Sequence, residues 1–315
     1  MKTNFKNNPI TKLLNIDYPV FQGAMAWISD AALAAAVSNA GGLGIIAAGG
    51  MDYALIKSAI QKCKTLTTKP FAVNIMLMSP HADDVAKAVV EEGVKVVTTG
   101  AGNPAKYMKE WLAAGIIVIP IAPSVAYAKF MARAGAHALI CEGCEAGGHI
   151  GELTTMSLVP QVCDAVDLPI IAAGGIADGR GMAASFMLGA CGVQVGTRFL
   201  VAHECGIHQN YKDLIIKASD IETIVTGRRT GHPVRSLKSI FSRNFKAVEE
   251  DVSVSDEEIH KLGAGALRAA AIDGDKDKGS FMAGQVAGMV KKEQSCKEII
   301  EDIVKGHFNL MHKAH

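Results

Sequence analysis

The chain predicts a (β/α)8 barrel with a smaller, mostly helical second unit, and three observations carry the barrel. Apolar runs of strand length alternate with amphipathic stretches of helical length, the pattern of βαβ units around a parallel sheet. The runs are apolar on consecutive residues, as strands buried on both faces require. Eight of them fall before residue 200, which favours a closed barrel over a doubly wound open sheet.

In order the predicted strands are Pro19–Met25, Leu43–Ala48, Phe71–Met78, Lys95–Gly100, Ile116–Ala122, His137–Gly143, Pro169–Gly175 and Gly192–Phe199. Pro80 and Pro104 stand where helices begin. Asp178 is placed to cap a helix with Met182, Phe186 and Met187 on one face and Gly189 as its terminator. The barrel, with the ligand site, is assigned to residues 1–202. After it the rhythm changes: residues 203–275 are richer in charge and read as a substrate or lid unit. Residues 276–315 return to the barrel, through a small-residue stretch and a last amphipathic helix over Glu293–His312.

Composition narrows the class. The 315 residues are 49% hydrophobic and 20% charged, with a net charge of +1. That excludes a disordered chain and argues against wholesale nucleic-acid binding. Seven scattered cysteines suit a reducing compartment. The N-terminal MKTNFKNNPI lacks the apolar core of a signal peptide, and no apolar run is long enough to span a membrane. A cytoplasmic metabolic protein is expected.

The chemistry concentrates between Cys141 and Phe199. Gly174-Gly175 and Gly196-Thr197 offer backbone amides free of side-chain obstruction, as a phosphate needs. His149 lies in a GGHIG turn after the sixth strand, on the rim where barrel enzymes carry their active sites. Asn74 is a polar side chain in the run FAVNIMLM, and is either a ligand contact or a core amide bonded to backbone. Glu142, near the same rim, either accepts from ligand hydroxyls or pairs with a neighbour. Between Gly227 and Lys246 lie Arg228, Arg229, Arg235, Lys238, Arg243 and Lys246 with no acidic residue. They form either a docking field for an acidic carrier protein or nucleotide phosphates, or a solvated helix face.

Other patterns point nowhere. The glycines from Gly41 to Gly44 follow a helix and open a strand, the reverse of a dinucleotide fingerprint. Cys141 and Cys144 form one CxxC without a partner motif and read as buried thiols. His203 and His208 are five apart, so they diverge by roughly 140° on a helix and miss the zincin spacing.

The blocks YPVFQGAMAWISD, AGGLGIIAAGG, KPFAVNIMLMSP, VKVVTTGAGNP, EAGGHIGELTTM, IIAAGGIADGRG and VQVGTRFLVA span nearly the whole chain. It resembles the FMN-dependent enoyl-acyl-carrier-protein reductase II family, within the wider nitronate monooxygenase group. The resemblance implies a TIM barrel, bound FMN, NADH as reductant, and reduction of enoyl groups on acyl carrier protein in fatty-acid elongation. It also implies a homodimer and activation by a monovalent cation. Gly23, Ala24 and Met25 match the first flavin-contacting turn, with Ala24 where relatives can carry a second glycine. Asn74 matches the flavin-binding asparagine, Thr99 and Glu142 match polar rim positions, and Gly174, Gly175, Gly196 and Thr197 match the phosphate cradle. Met282 and Gln285 fall in the block that approaches the flavin, and His149 matches the active-site histidine. The alternative is a nitronate monooxygenase, in which that histidine acts as a base on a nitroalkane carbon and oxygen takes the electrons.

Overall fold

The computed structural model describes residues 5–312. The start of the N-terminal segment read as lacking a signal peptide, residues 1–4, lies outside the described residues. Eight parallel strands follow one another as expected: β1 (Val20–Gln22), β2 (Gly44–Ala47), β3 (Phe71–Met76), β4 (Val96–Gly100), β5 (Ile117–Ala122), β6 (Leu139–Glu142), β8 (Ile170–Ala173) and β9 (Gly192–Val195). A two-residue strand, β7 (Gly148–His149), lies between the sixth and seventh of them. The sheet runs β1-β9-β8-β6-β5-β4-β3-β2, and a parallel bridge between Phe21 and Leu43 joins β1 to β2. The barrel is therefore closed, a TIM barrel.

Burial on both faces explains the unbroken apolar runs. One face of each strand fills the barrel interior, where Phe21, Leu43, Ile45, Ala72, Val96, Ile119, Ile140 and Ile171 form one cluster. The other face meets the helices: Val73, Ile75, Val97 and Val118 pack with Ile56, Val85 and Trp111. Contact between layers is close. A Cβ on Gly44 would lie 1.8 Å from the Ala34 carbonyl oxygen, so only glycine fits where β2 crosses the helix Ala31–Asn39.

Asp178 caps the helix Gly179–Met187, accepting from the N–H groups of Arg180 at 2.9 Å and Gly181 at 3.4 Å. Its buried face differs from the expectation. Met182 is fully buried, but Met187 is 64% exposed because five residues turn a helix about 140° off the face.

After β9 the chain leaves the barrel. Residues 203–275 contribute the helices Gln209–Lys217, Ile240–Glu250 and Asp256–Gly263. They also contribute an antiparallel hairpin, β10 (Thr223–Thr226) and β11 (Val234–Leu237), which the sequence reading did not separate from the helices. The C-terminal helix Cys296–Met311 then packs against Gly179–Met187 and Ala31–Asn39. Those helices follow the seventh and first barrel strands, so the C-terminal helix occupies the eighth helix position.

Candidate active site

A cavity of about 660 Å³ opens at the carboxyl ends of the strands. The two-residue side-chain period of the strands decides what it sees. On β3, Asn74 points inward and lines the cavity, and its amide donates to Thr98 Oγ1 at 2.9 Å. Asn74 and Thr98 are paired neighbours, so they share the inner face. Thr99 is thereby turned outward. It is fully buried, off the cavity wall, and its hydroxyl has no hydrogen-bond partner among the described residues. The expectation of Thr99 as a rim group was one residue out of phase.

On β6 the same alternation buries Cys141 behind the wall and turns Glu142 into the cavity. The Glu142 carboxyl has no protein partner among the described residues, and burial pushes it up to about 7. This side chain faces the cavity and is unpaired among the described residues. Cys144 of the CxxC pair is only half-buried, and both thiols are free.

Gly23, Ala24 and Met25 follow β1 and line the wall, as do Gly174 and Gly175 after β8 and Gly196 and Thr197 after β9. The N–H groups of Gly174, Gly175, Gly196 and Thr197 donate to no acceptor among the described residues. Gly174 has φ +89°, and a Cβ there would lie 2.6 Å from the Gly143 carbonyl oxygen. Converging donors with no obstructing side chain fit a phosphate. The Thr197 hydroxyl is committed to structure, accepting from Gly284 N–H at 2.9 Å. Met282 lines the cavity. Gln285 does not: its side chain is exposed, and its contribution is a backbone N–H donated to the Glu145 carbonyl oxygen at 2.9 Å.

His149 owes its place to the hairpin. Gly148 and His149 pair with Arg235 and Val234, and Ile150 N–H donates to the Pro233 carbonyl at 3.0 Å. The ring faces the cavity without a hydrogen bond to any described residue. Close packing by protein on its other sides, and then the nearby His232, hold its pKa below the usual histidine value, so it is neutral at pH 7.

The basic cluster is mostly spoken for. Arg235 is buried, and its Nε and Nη2 both donate to the Cys144 carbonyl, at 3.1 and 3.0 Å. Its Nη1 donates to Thr223 Oγ1 at 3.1 Å. Arg228 pairs with Glu152 at 2.9 Å, Arg229 with Asp256 at 3.1 Å, and Lys246 with Glu250 at 3.2 Å. Acidic residues outside the 227–246 window supply partners for Arg228, Arg229 and Lys246. Arg235 instead clamps the loop between β6 and His149. Arg235→Met is expected to cost roughly 1–3 kcal/mol, since it leaves a half-buried carbonyl and hydroxyl without their donor. Denaturant unfolding checks this.

Some cavity residues escaped the sequence reading. Gln194 is a buried amide in the run VQVG and lines the wall. The signal was the one that found Asn74, a polar residue in an apolar strand. Trp27, Glu145 and Tyr127 come from loops or the start of a helix, where no periodicity marks them. Among the described residues no cluster of three or more His, Cys, Asp or Glu side chains could hold a metal ion.

Comparison with known proteins gives a consistent picture. A family model described as nitronate monooxygenase matches residues 7–306. FabK from Thermotoga maritima has 48% identity and a TM-score of 0.95, over 98% of both chains. A nitroalkane oxidase from Streptomyces ansochromogenes has 28% identity and a TM-score of 0.87, over 98% of this chain and 100% of that one. A probable nitronate monooxygenase of Staphylococcus saprophyticus is 35% identical, over 96% of this chain and 98% of its own. An octahydro-indene-carboxyl-CoA dehydrogenase of Rhodococcus jostii is 34% identical over 94% of each chain.

Proposed function

This chain belongs to the nitronate monooxygenase family of oxidoreductases, and from that premise we propose that it is an FMN-dependent reductase of enoyl groups carried on acyl carrier protein, with NADH as reductant. The observation that carries the reading is its likeness to FabK, at 48% identity across 98% of both chains. The thioester named for the Rhodococcus relative points the same way. Overall, enoyl thioester, NADH and a proton become acyl thioester and NAD+. A cytoplasmic location, a homodimer and a monovalent cation belong to the same proposal, as does a covering role for residues 203–275.

The residues present fit FMN. The undonated N–H groups of Gly174, Gly175, Gly196 and Thr197 would hold its phosphate. Asn74 and Gln194 would offer amide contacts, and Gly23, Ala24, Met25 and Met282 would supply close packing. When bound, FMN supplies the two-electron carriage between NADH and the β-carbon. The rest is the protein's work. His149, neutral and with an unengaged ring, orients the thioester and stabilises charge growing on its oxygen. Glu142, on the inner wall, is pushed up to about 7 by burial and so is shared between its protonated and ionised forms at neutral pH.

Glu142 also makes stability depend on pH. Its folded pKa, about 7, lies above the unfolded value. The stabilising contribution is therefore complete below the unfolded pKa and is lost as pH rises through about 7. In the ligand-free protein, Glu142→Gln is expected to gain on the order of 2 kcal/mol relative to wild type between about pH 5 and pH 8. Thermal unfolding across that range checks it.

The nitronate reading keeps one observation of its own: a neutral imidazole facing the cavity suits a base. Anaerobic mixing separates the two. Rapid flavin bleaching by NADH, followed by reoxidation with crotonyl thioester, is expected. No bleaching, with oxygen uptake on an alkyl nitronate, would replace the reductase by the monooxygenase.

A further inference from the structure

The cavity is chemically two-sided. The glycine cradle and Glu142 belong to β6, β8 and β9, whereas the segments after β1 and β5 bring Trp27, Pro123 and Tyr127 to the mouth beside Met76 and Ile121. These five side chains carry no charge. The hydroxyl of Tyr127 is already donated to the Gly102 carbonyl at 2.7 Å.

Trp27 is the unusual member. It is 49% exposed, where a large aromatic is normally covered, and its φ is +66°. Such a backbone persists only where its surroundings fix it. Here Met25 carbonyl accepts from Ile28 and Ser29 N–H, and Ser29 Oγ accepts from Met25 N–H at 3.0 Å. The indole is thereby held over Gly50, whose ideal Cβ would lie 3.5 Å from Trp27 Cζ2. Three non-glycine residues among those described have positive φ, and a second, Ala101, also lines this cavity, on the loop tied down by Tyr127. Two strained loops thus hold open an apolar flank continuous with the catalytic cavity.

We propose that this flank, between Trp27 and the Met76, Ile121, Pro123 and Tyr127 wall, is the subsite for the unbranched hydrocarbon chain of the thioester substrate. The inference rests on the thioester reading for its ligand, but its test needs no turnover. Saturated butanoyl, hexanoyl and octanoyl thioesters of N-acetylcysteamine are titrated calorimetrically into the FMN-loaded protein. Burial of each methylene predicts about fourfold tighter binding per carbon. The slope is expected to fall to about twofold per carbon or less in Trp27→Ala, and also in Met76→Ser, which makes a second part of the apolar wall polar.

Equal slopes in wild type and both variants would overturn the subsite, as would a wild-type affinity independent of chain length. Crotonyl thioester turnover with no chain-length dependence would sink this inference alone. Chain-length-dependent binding without turnover would leave the subsite standing and remove the reductase.

Discussion

Replacing His149 by alanine is expected to slow turnover of the enoyl thioester by about a hundred- to ten-thousandfold. The same variant should bind FMN as wild type does. The imidazole is held by strand pairing with Val234 and does not belong to the glycine cradle. On the proposed reading its removal takes away a group that meets substrate and leaves the cradle N–H groups alone. The pH profile adds a second readout. Close packing by protein, and then His232, hold the ring's pKa below the ordinary histidine value, so activity that needs the neutral ring falls only at more acid pH. His232→Asn removes one of those two causes, and the acid limb should move upward. Stopped-flow reoxidation measures both effects. A His149→Ala enzyme with full turnover would end its assignment.

Gly174→Ala is expected to weaken FMN binding by at least about a hundredfold, the loss of two charge-assisted hydrogen bonds. The position tolerates no Cβ for two independent reasons. Its φ of +89° disfavours any L side chain, and the added carbon would meet the Gly143 carbonyl at 2.6 Å. Relief requires the loop after β8 to move, which swings the free N–H groups of Gly174 and Gly175 off their common target. Flavin content after reconstitution reads this directly. Circular dichroism separates loss of the cradle from loss of the barrel, because β8 itself ends at Ala173.

The barrel was legible because a parallel strand buried on both faces leaves an unmistakable run of apolar residues. The cavity lining after β8 and β9 was legible because glycines that end buried runs leave backbone exposed at the rim. Phase was harder. Thr98 and Thr99 are the same residue type side by side, and only the register with Asn74 shows which one faces inward. Gln285 was matched to the block that approaches the flavin, yet its side chain is exposed and its backbone N–H is donated to Glu145. The pairing of the basic cluster was hidden because its partners, Glu152, Glu250 and Asp256, lie outside the window in sequence but not in space. The hairpin that carries Arg235 and steadies His149 was hidden in a charged segment whose short strands lack the barrel's pattern.

The central claim is that separate loops converge to place one flavin mononucleotide beside one imidazole. A crystal structure of the FMN complex with a saturated acyl thioester tests it most directly. The account predicts the phosphate within hydrogen-bonding distance of the N–H groups at Gly174, Gly175, Gly196 and Thr197, with the thioester between the flavin ring and His149. A phosphate bound elsewhere, or a His149 ring turned away from the thioester, would contradict it.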